Sequence, residues 1–184
     1  MKHTITLILL LFVFNLAIGQ KGDGIKIPKI EETDKYGFTE IYEMDSLNAK
    51  ELYNSTKFFL TKKHSDKEFF IDIPEKELYD NGSFPANMNV SNIPMAYTIL
   101  YTISTEFKEN KVKITISDFK VSTNSQGTTS EVVLENHFDN MNAVKIGKKY
   151  ARKMNESLSN SIIEQSEKLI TDLKQSLTKK KTEW

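Results

Sequence analysis

No cysteine occurs anywhere in the chain. Disulfide staples, zinc-finger spacing, a thiol nucleophile and haem attachment are therefore excluded, and the fold rests on its packed core alone. The seven glycines form neither a P-loop nor a GxGxxG turn. GxSxG, HExxH and the calcium-loop spacing DxDxDG are absent as well. Beyond residue 19 only two histidines remain, His64 and His137, far apart in sequence and each expected at the surface. The carboxylates Glu31, Glu32, Asp23 and Asp34 fall in a charged lead-in and require no catalytic role. The residues thus predict no catalytic site, no metal site and no cofactor.

Long apolar runs are equally scarce, with one exception at the start. Lys2 precedes an almost unbroken apolar stretch, Ile5–Ile18, which ends in Ala17-Ile18-Gly19. That run is shorter than the ~20 residues a spanning helix needs, and its small-residue ending fits signal-peptidase cleavage after Gly19. No cysteine follows it to carry a lipid anchor. The expectation is an exported protein, periplasmic or extracellular, with no transmembrane segment after cleavage and no nucleic-acid partner. Residues 1–19 are then the signal peptide, 20–36 a flexible lead-in, 37–178 a single α+β domain and 179–184 a basic tail.

The clearest structural signal is Ala96–Phe119. Tyr97, Ile99, Tyr101, Ile103 and Phe107 alternate with Thr98, Thr102, Ser104 and Glu106, and Val112, Ile114 and Ile116 alternate with lysines and hydroxyls. A period of two predicts two strands with one buried face. A loop at Glu109-Asn110 sets Phe107 opposite Val112, Glu106 opposite Lys113, Ser104 opposite Thr115 and Ile103 opposite Ile116. Every pair then matches in kind, and a one-residue slip would expose the isoleucines. The aromatic stripe of this hairpin is expected in the core.

Around it, Phe38–Met44 and Glu68–Ile73 read as strands. Glu77–Phe84 is a weaker strand with a turn at Asn81-Gly82, and Glu131–Leu134 is a last short strand. Pro85–Pro94 and Val121–Thr129 read as loops. Leu47–Lys62 is a helix, with Asn48 and Glu51 at capping-box spacing and Leu47 and Leu52 placed as a hydrophobic staple. From Val144 an apolar stripe at 3.6-residue spacing runs through Ala151, Met154, Leu158, Ile162, Leu169, Leu173 and Leu177, predicting a late helix with a break or fray near Gly147 or residues 159–161.

In this order the motifs resemble a secreted family of gram-negative bacteria described as a domain of unknown function with a TBP-like fold. The resemblance rests on the helix start Asn48–Tyr53, the basic turn Lys108–Lys113, Leu134-Glu135-Asn136, Leu169-Ile170 with Leu173-Lys174, and the ending Glu183-Trp184. The chain departs at Asn110, where the family usually has glycine, and in a Gly-rich loop reduced to Gly127. The resemblance implies a curved antiparallel sheet of about five strands with two helices on one face. It implies nothing about DNA, since fold does not carry function.

Charge supplies the one candidate surface. The chain is formally neutral, but Gln20–Val144 carries 14 lysines against 20 acids, while Lys145–Trp184 carries ten basic residues against five acids. Lys145, Lys148, Lys149, Arg152 and Lys153 recur at helical spacing and form a basic face suited to an envelope protein or an anionic surface. Such a face also serves simply as a solvated one. The functional expectation is a non-catalytic binding module of the bacterial cell envelope. An enzyme or enzyme subunit built on dispersed carboxylates, and a structural component pairing through its last helix, are the alternatives.

Overall fold

The computed structural model describes residues 24–44, 47–64, 71–90, 93–125, 128–143 and 147–178. The expected signal peptide, Lys145, Gly127, the Asp45-Ser46 pair, residues 68–70 of the second expected strand and the tail 179–184 lie outside them. Six strands and three helices follow in the order β1 (Phe38–Glu43), α1 (Ala49–His64), β2 (Ile71–Ile73), β3 (Glu77–Val90), β4 (Ile93–Lys108), β5 (Lys111–Ser125), β6 (Thr128–Val133), α2 (Leu134–Ala143) and α3 (Lys148–Thr178). All pairings are antiparallel, in the order β1-β5-β4-β3-β2, with β6 also on β5.

The central hairpin has the register its side chains predict: Phe107 faces Val112, Glu106 faces Lys113, Ser104 faces Thr115 and Ile103 faces Ile116. Ile99, Tyr101, Ile103, Phe107, Val112, Ile114 and Ile116 are all buried on the helix side. Asn110 takes φ 59° at the turn. Its amide donates to the Leu47 carbonyl and its carbonyl accepts from the Met44 amide, so the turn also holds the entrance to α1. With its carboxamide nitrogen facing them, the side chain donates to the same two residues' carbonyls at 3.2 Å.

The α1 start is the predicted capping box. Asn48 Oδ1 accepts from the Glu51 amide at 2.9 Å and Glu51 Oε2 accepts from the Asn48 amide at 3.0 Å. Leu52, Tyr53, Thr56 and Leu60 form the buried face. Helix α3 is a single element through Thr178, with no break at residues 159–161. At about 1.5 Å per residue it runs roughly 46 Å. Its predicted stripe from Ala151 to Leu177 is buried.

Several expectations are corrected. Asn81-Gly82 is not a turn, and the segment read as a loop from Pro85 is strand: β3 continues to Val90 and pairs with β4 throughout. Gly82 lies opposite Tyr101, where a Cβ would come within 2.4 Å of the phenol. The glycine serves a close approach inside a strand. Among the described residues β2 pairs only with residues 77–79 of β3, so no described strand asks for an N–H from Pro85 on that side. The polar stretch from Val121 is also strand, paired with β6, and Leu134 opens a helix. Three helices therefore stand where two were expected. Within the expected lead-in, Ile27 and Ile30 are buried, and Lys26 meets Glu156 of α3 at 2.7 Å.

Candidate functional site

Among the described residues, three places bear on function: the first turns of α3, a cluster beneath the sheet, and a notch on its edge.

Lys148, Lys149, Arg152 and Lys153 are exposed on the first two turns of α3, and Lys145 lies outside the described residues. At 100° per residue the four span one face of the helix. The first turn of α3 contains no acid. This is the end where a helix favours negative charge, so the cations do not serve helix stability. None of the four forms a salt bridge with another described residue. The nearby Glu156 is held below its ordinary pKa by its hydrogen bond and charge contact with Lys26 and, after these, by the charge of Arg152.

Beneath the sheet, the last residue of α1 meets β3 and β4. His64 Nδ1 pairs with Asp80 Oδ2, and His64 Nε2 lies 3.0 Å from the Tyr101 hydroxyl. Asp80 Oδ1 accepts from the Asn81 amide at 2.8 Å. One ring nitrogen meets the carboxylate and the other the phenol oxygen, so both are engaged. Burial, and after it the charge of Asp80, push the Tyr101 phenol above its usual range, so Tyr101 keeps its proton. His64 was expected at the surface, yet its side chain is only 9% exposed and that of Asp80 5%. Gly82 closes the remaining space, since a Cβ there would lie 2.7 Å from His64 Nε2. The order Asp–His–hydroxyl is that of a proton relay, but the cluster offers a substrate no approach and works as an internal clamp.

His137 on α2 is also half-buried rather than exposed. It packs edge-on to Tyr97 and Phe138, and burial lowers its pKa. His64 and His137 do not come together. They sit against Tyr101 and Tyr97, four residues apart on β4, or about 13 Å at 3.3 Å per residue.

The notch arises from strand lengths. β1 pairs with β5 as far as Ile116 and β6 pairs from Lys120, both on the same edge. Between them Asp118 takes φ 53°, and the register with β4 shifts across Leu100–Thr102. This β-bulge sets two β5 residues opposite Tyr101. The Asp118 carboxylate reaches Lys35 Nζ at 2.5 Å, and Glu135 Oε1 accepts from the Tyr36 amide at 3.2 Å. The result is an open depression of about 320 Å³ lined by Lys35, Asp118, Phe119, Lys120, Val133 and Glu135. The sequence reading missed it because it depends on where two non-adjacent strands stop, which no local pattern encodes. Positive φ at Asp118, in the dipeptide Ser-Asp inside a strand pattern, was its only local trace.

Among the described residues no group of three His, Asp or Glu side chains is placed to hold a metal ion. No described helix is long and apolar enough to cross a membrane.

No curated protein matches the chain. It is similar to the crystal structure of a DUF4468 family protein from Bacteroides ovatus, with 10% identity and a TM-score of 0.61 over 86% of this chain and 94% of that one. It is also similar to a TBP-like protein from Parabacteroides distasonis, with 13% identity and a TM-score of 0.62 over 82% of this chain and 96% of that one. At such identities the likeness establishes the fold. Residues 38–122 match a domain of unknown function (DUF4468) with TBP-like fold.

Proposed function

We propose that this protein is an exported, non-catalytic binding module of the bacterial cell envelope, and that it docks on an anionic phospholipid surface through the basic face of α3. One observation carries the reading: Lys148, Lys149, Arg152 and Lys153 are exposed, on one face, at the helix end least suited to them, and only Arg152 has a described acidic neighbour, Glu156, which Lys26 already holds. Charge held against local electrostatic preference is compensated by an anionic partner. The sealed state of the His64–Asp80–Tyr101 cluster supports the non-catalytic half of the proposal, and the apolar run Ile5–Ile18 supports export.

Each cation near an anionic bilayer contributes roughly 1 kcal/mol, so four give weak, reversible and salt-sensitive attachment. Co-sedimentation with vesicles containing phosphatidylglycerol at low salt is the test, with phosphatidylcholine vesicles as control. The expected result is binding to the anionic vesicles alone, abolished by Lys148→Glu, Lys149→Glu and Arg152→Glu together and by a few hundred millimolar salt. Equal sedimentation of the charge-reversed protein would overturn the reading. Selective binding to an acidic protein in place of lipid would overturn the lipid half. Fractionation of cells for the processed chain tests export separately.

A further inference from the structure

The notch between β1 and β6 uses none of the α3 cations and has a different chemistry. Its open apolar surface is Val133, 43% exposed and paired with Lys120 across the strands, while Phe119 beside it is fully buried. Its rim carries both signs, with Lys35 and Lys120 positive and Asp118 and Glu135 negative. Lys35 and Asp118 neutralise each other. Lys120 has no ion-pair partner among the described residues. Glu135 commits one oxygen to the Tyr36 amide, its charge also acts on Lys29 and Lys35, and its second oxygen accepts no hydrogen bond from another described residue.

The rim therefore presents one uncommitted ammonium and one partly uncommitted carboxylate around the same apolar surface. A simple anion would meet two carboxylates there, and a simple cation two ammonium groups. A neutral apolar molecule would cover Val133 while stripping water from both charges without replacing it, which is costly. A zwitterion with an apolar side chain satisfies all three surfaces. At about 320 Å³ the depression lies at the lower end of the ~300–1,000 Å³ range of small-molecule sites. We infer that the notch binds an apolar amino acid or short apolar peptide in its zwitterionic form, with the ligand carboxylate on Lys120, its ammonium on Glu135 and its side chain over Val133. The bulge at Asp118 supports the site by turning that carboxylate onto Lys35, which gives its hydrogen bond to Asp118 and acts on Glu135 through charge alone.

The probe is leucyl-leucine, titrated into the isotope-labelled protein and followed by amide chemical shifts. Saturable shifts are expected at Lys120, Val133 and Glu135, with a Kd of order millimolar because the site is open. Acetylating the dipeptide's amine or amidating its carboxylate should each weaken binding about tenfold, as should Lys120→Glu and Glu135→Lys singly. The double variant K120E/E135K restores binding, because the dipeptide can enter with its ends exchanged. Spectra of the unliganded variants show that each remains folded, so a lost signal reports the site. Capped and free dipeptides binding equally, a double variant no better than its parents, or no saturable shift by about ten millimolar would each overturn the assignment. Vesicle attachment through α3 is unaffected by these substitutions, so the two proposals stand or fall separately.

Discussion

The clamp under the sheet and the notch at its edge contain nearly the same groups, carboxylates facing a basic side chain beside an aromatic ring, and they do opposite things. In the clamp every polar atom named is engaged inside a shell that His64, Asp80, Tyr101 and Gly82 close together. In the notch, Lys120 and part of Glu135 face solvent. Burial makes the difference. Taking the partner from a buried polar group strands the survivor and is costly, whereas an exposed pair exchanges its partner for water at little cost. The clamp therefore holds the C-terminal end of α1 on the sheet, and the notch is where chemistry remains available.

The largest effect is expected from breaking the clamp. Asp80→Ala removes the partner of His64 Nδ1 and of the Asn81 amide at once, and should lower unfolding free energy by about 3–5 kcal/mol in denaturant titrations. Gly82→Val should fall in a similar range, since the new atoms overlap Tyr101 and His64, neither of which can move without giving up its partner. Should Asp80→Ala cost less than about 1 kcal/mol, water enters the cluster and it is not sealed.

Next comes the capping box, which sharpens the comparison because it is exposed yet geometrically specified. Asn48→Ala should cost about 0.5–2 kcal/mol and Asn48→Ser much less, since serine restores the acceptor for the Glu51 amide. Alanine and serine giving the same midpoint would show that the cap is not used in solution.

His137 lies between the two extremes, and its contribution appears in pH dependence. Burial lowers its pKa below the ordinary 6.5, so the folded state resists protonation while the unfolded chain does not. Stability from this source is complete above the unfolded value and is lost as pH falls from about 6.5 toward the folded one. His137→Gln should flatten the stability profile in that window. Asp72 adds a loss at lower pH. Burial alone would raise its pKa, but the hydrogen bonds from Lys57 and Tyr53 outweigh burial and lower it. A profile that stays steep in the window near pH 6 after His137→Gln would assign the titration elsewhere.

These contrasts also mark what the sequence made legible. The hairpin register followed from matched pairs such as Glu106 with Lys113, and the α1 start from Asn48 with Glu51, because both are local patterns with a fixed period or spacing. The α3 stripe was legible for the same reason. Asn81-Gly82 and Pro85 were misread because glycine and proline signal turns locally, whereas here Gly82 makes room for Tyr101 across the sheet and Pro85 sits within β3, paired with Thr98 of β4. His64 was assigned to the surface because its partners Asp80 and Tyr101 lie 16 and 37 residues away. Helix α2 was missed because Leu134 and Phe138 supply its only fully buried apolar contacts, too few for a periodic signal.

The smallest effect belongs to the notch, and it tests the comparison most directly. Asp118→Gly removes a carboxylate that forms a 2.5 Å contact with Lys35, which by distance alone ranks with the strongest pairs in the molecule. Both side chains are about half exposed, so the pair is worth only ~0–1 kcal/mol. At the same position φ is 53°, where a non-glycine residue stores strain that glycine relieves. The two terms have opposite sign and similar size, so the variant should unfold within about 0.5 kcal/mol of the parent, either side of zero. Yet freeing Lys35 adds a second uncommitted ammonium next to Glu135. Leucyl-leucine affinity should then drop through competition for that carboxylate, even though stability hardly moves. A variant that loses more than about 2 kcal/mol would show that the bulge is built into the core as firmly as the clamp, and the distinction between the two clusters would not hold.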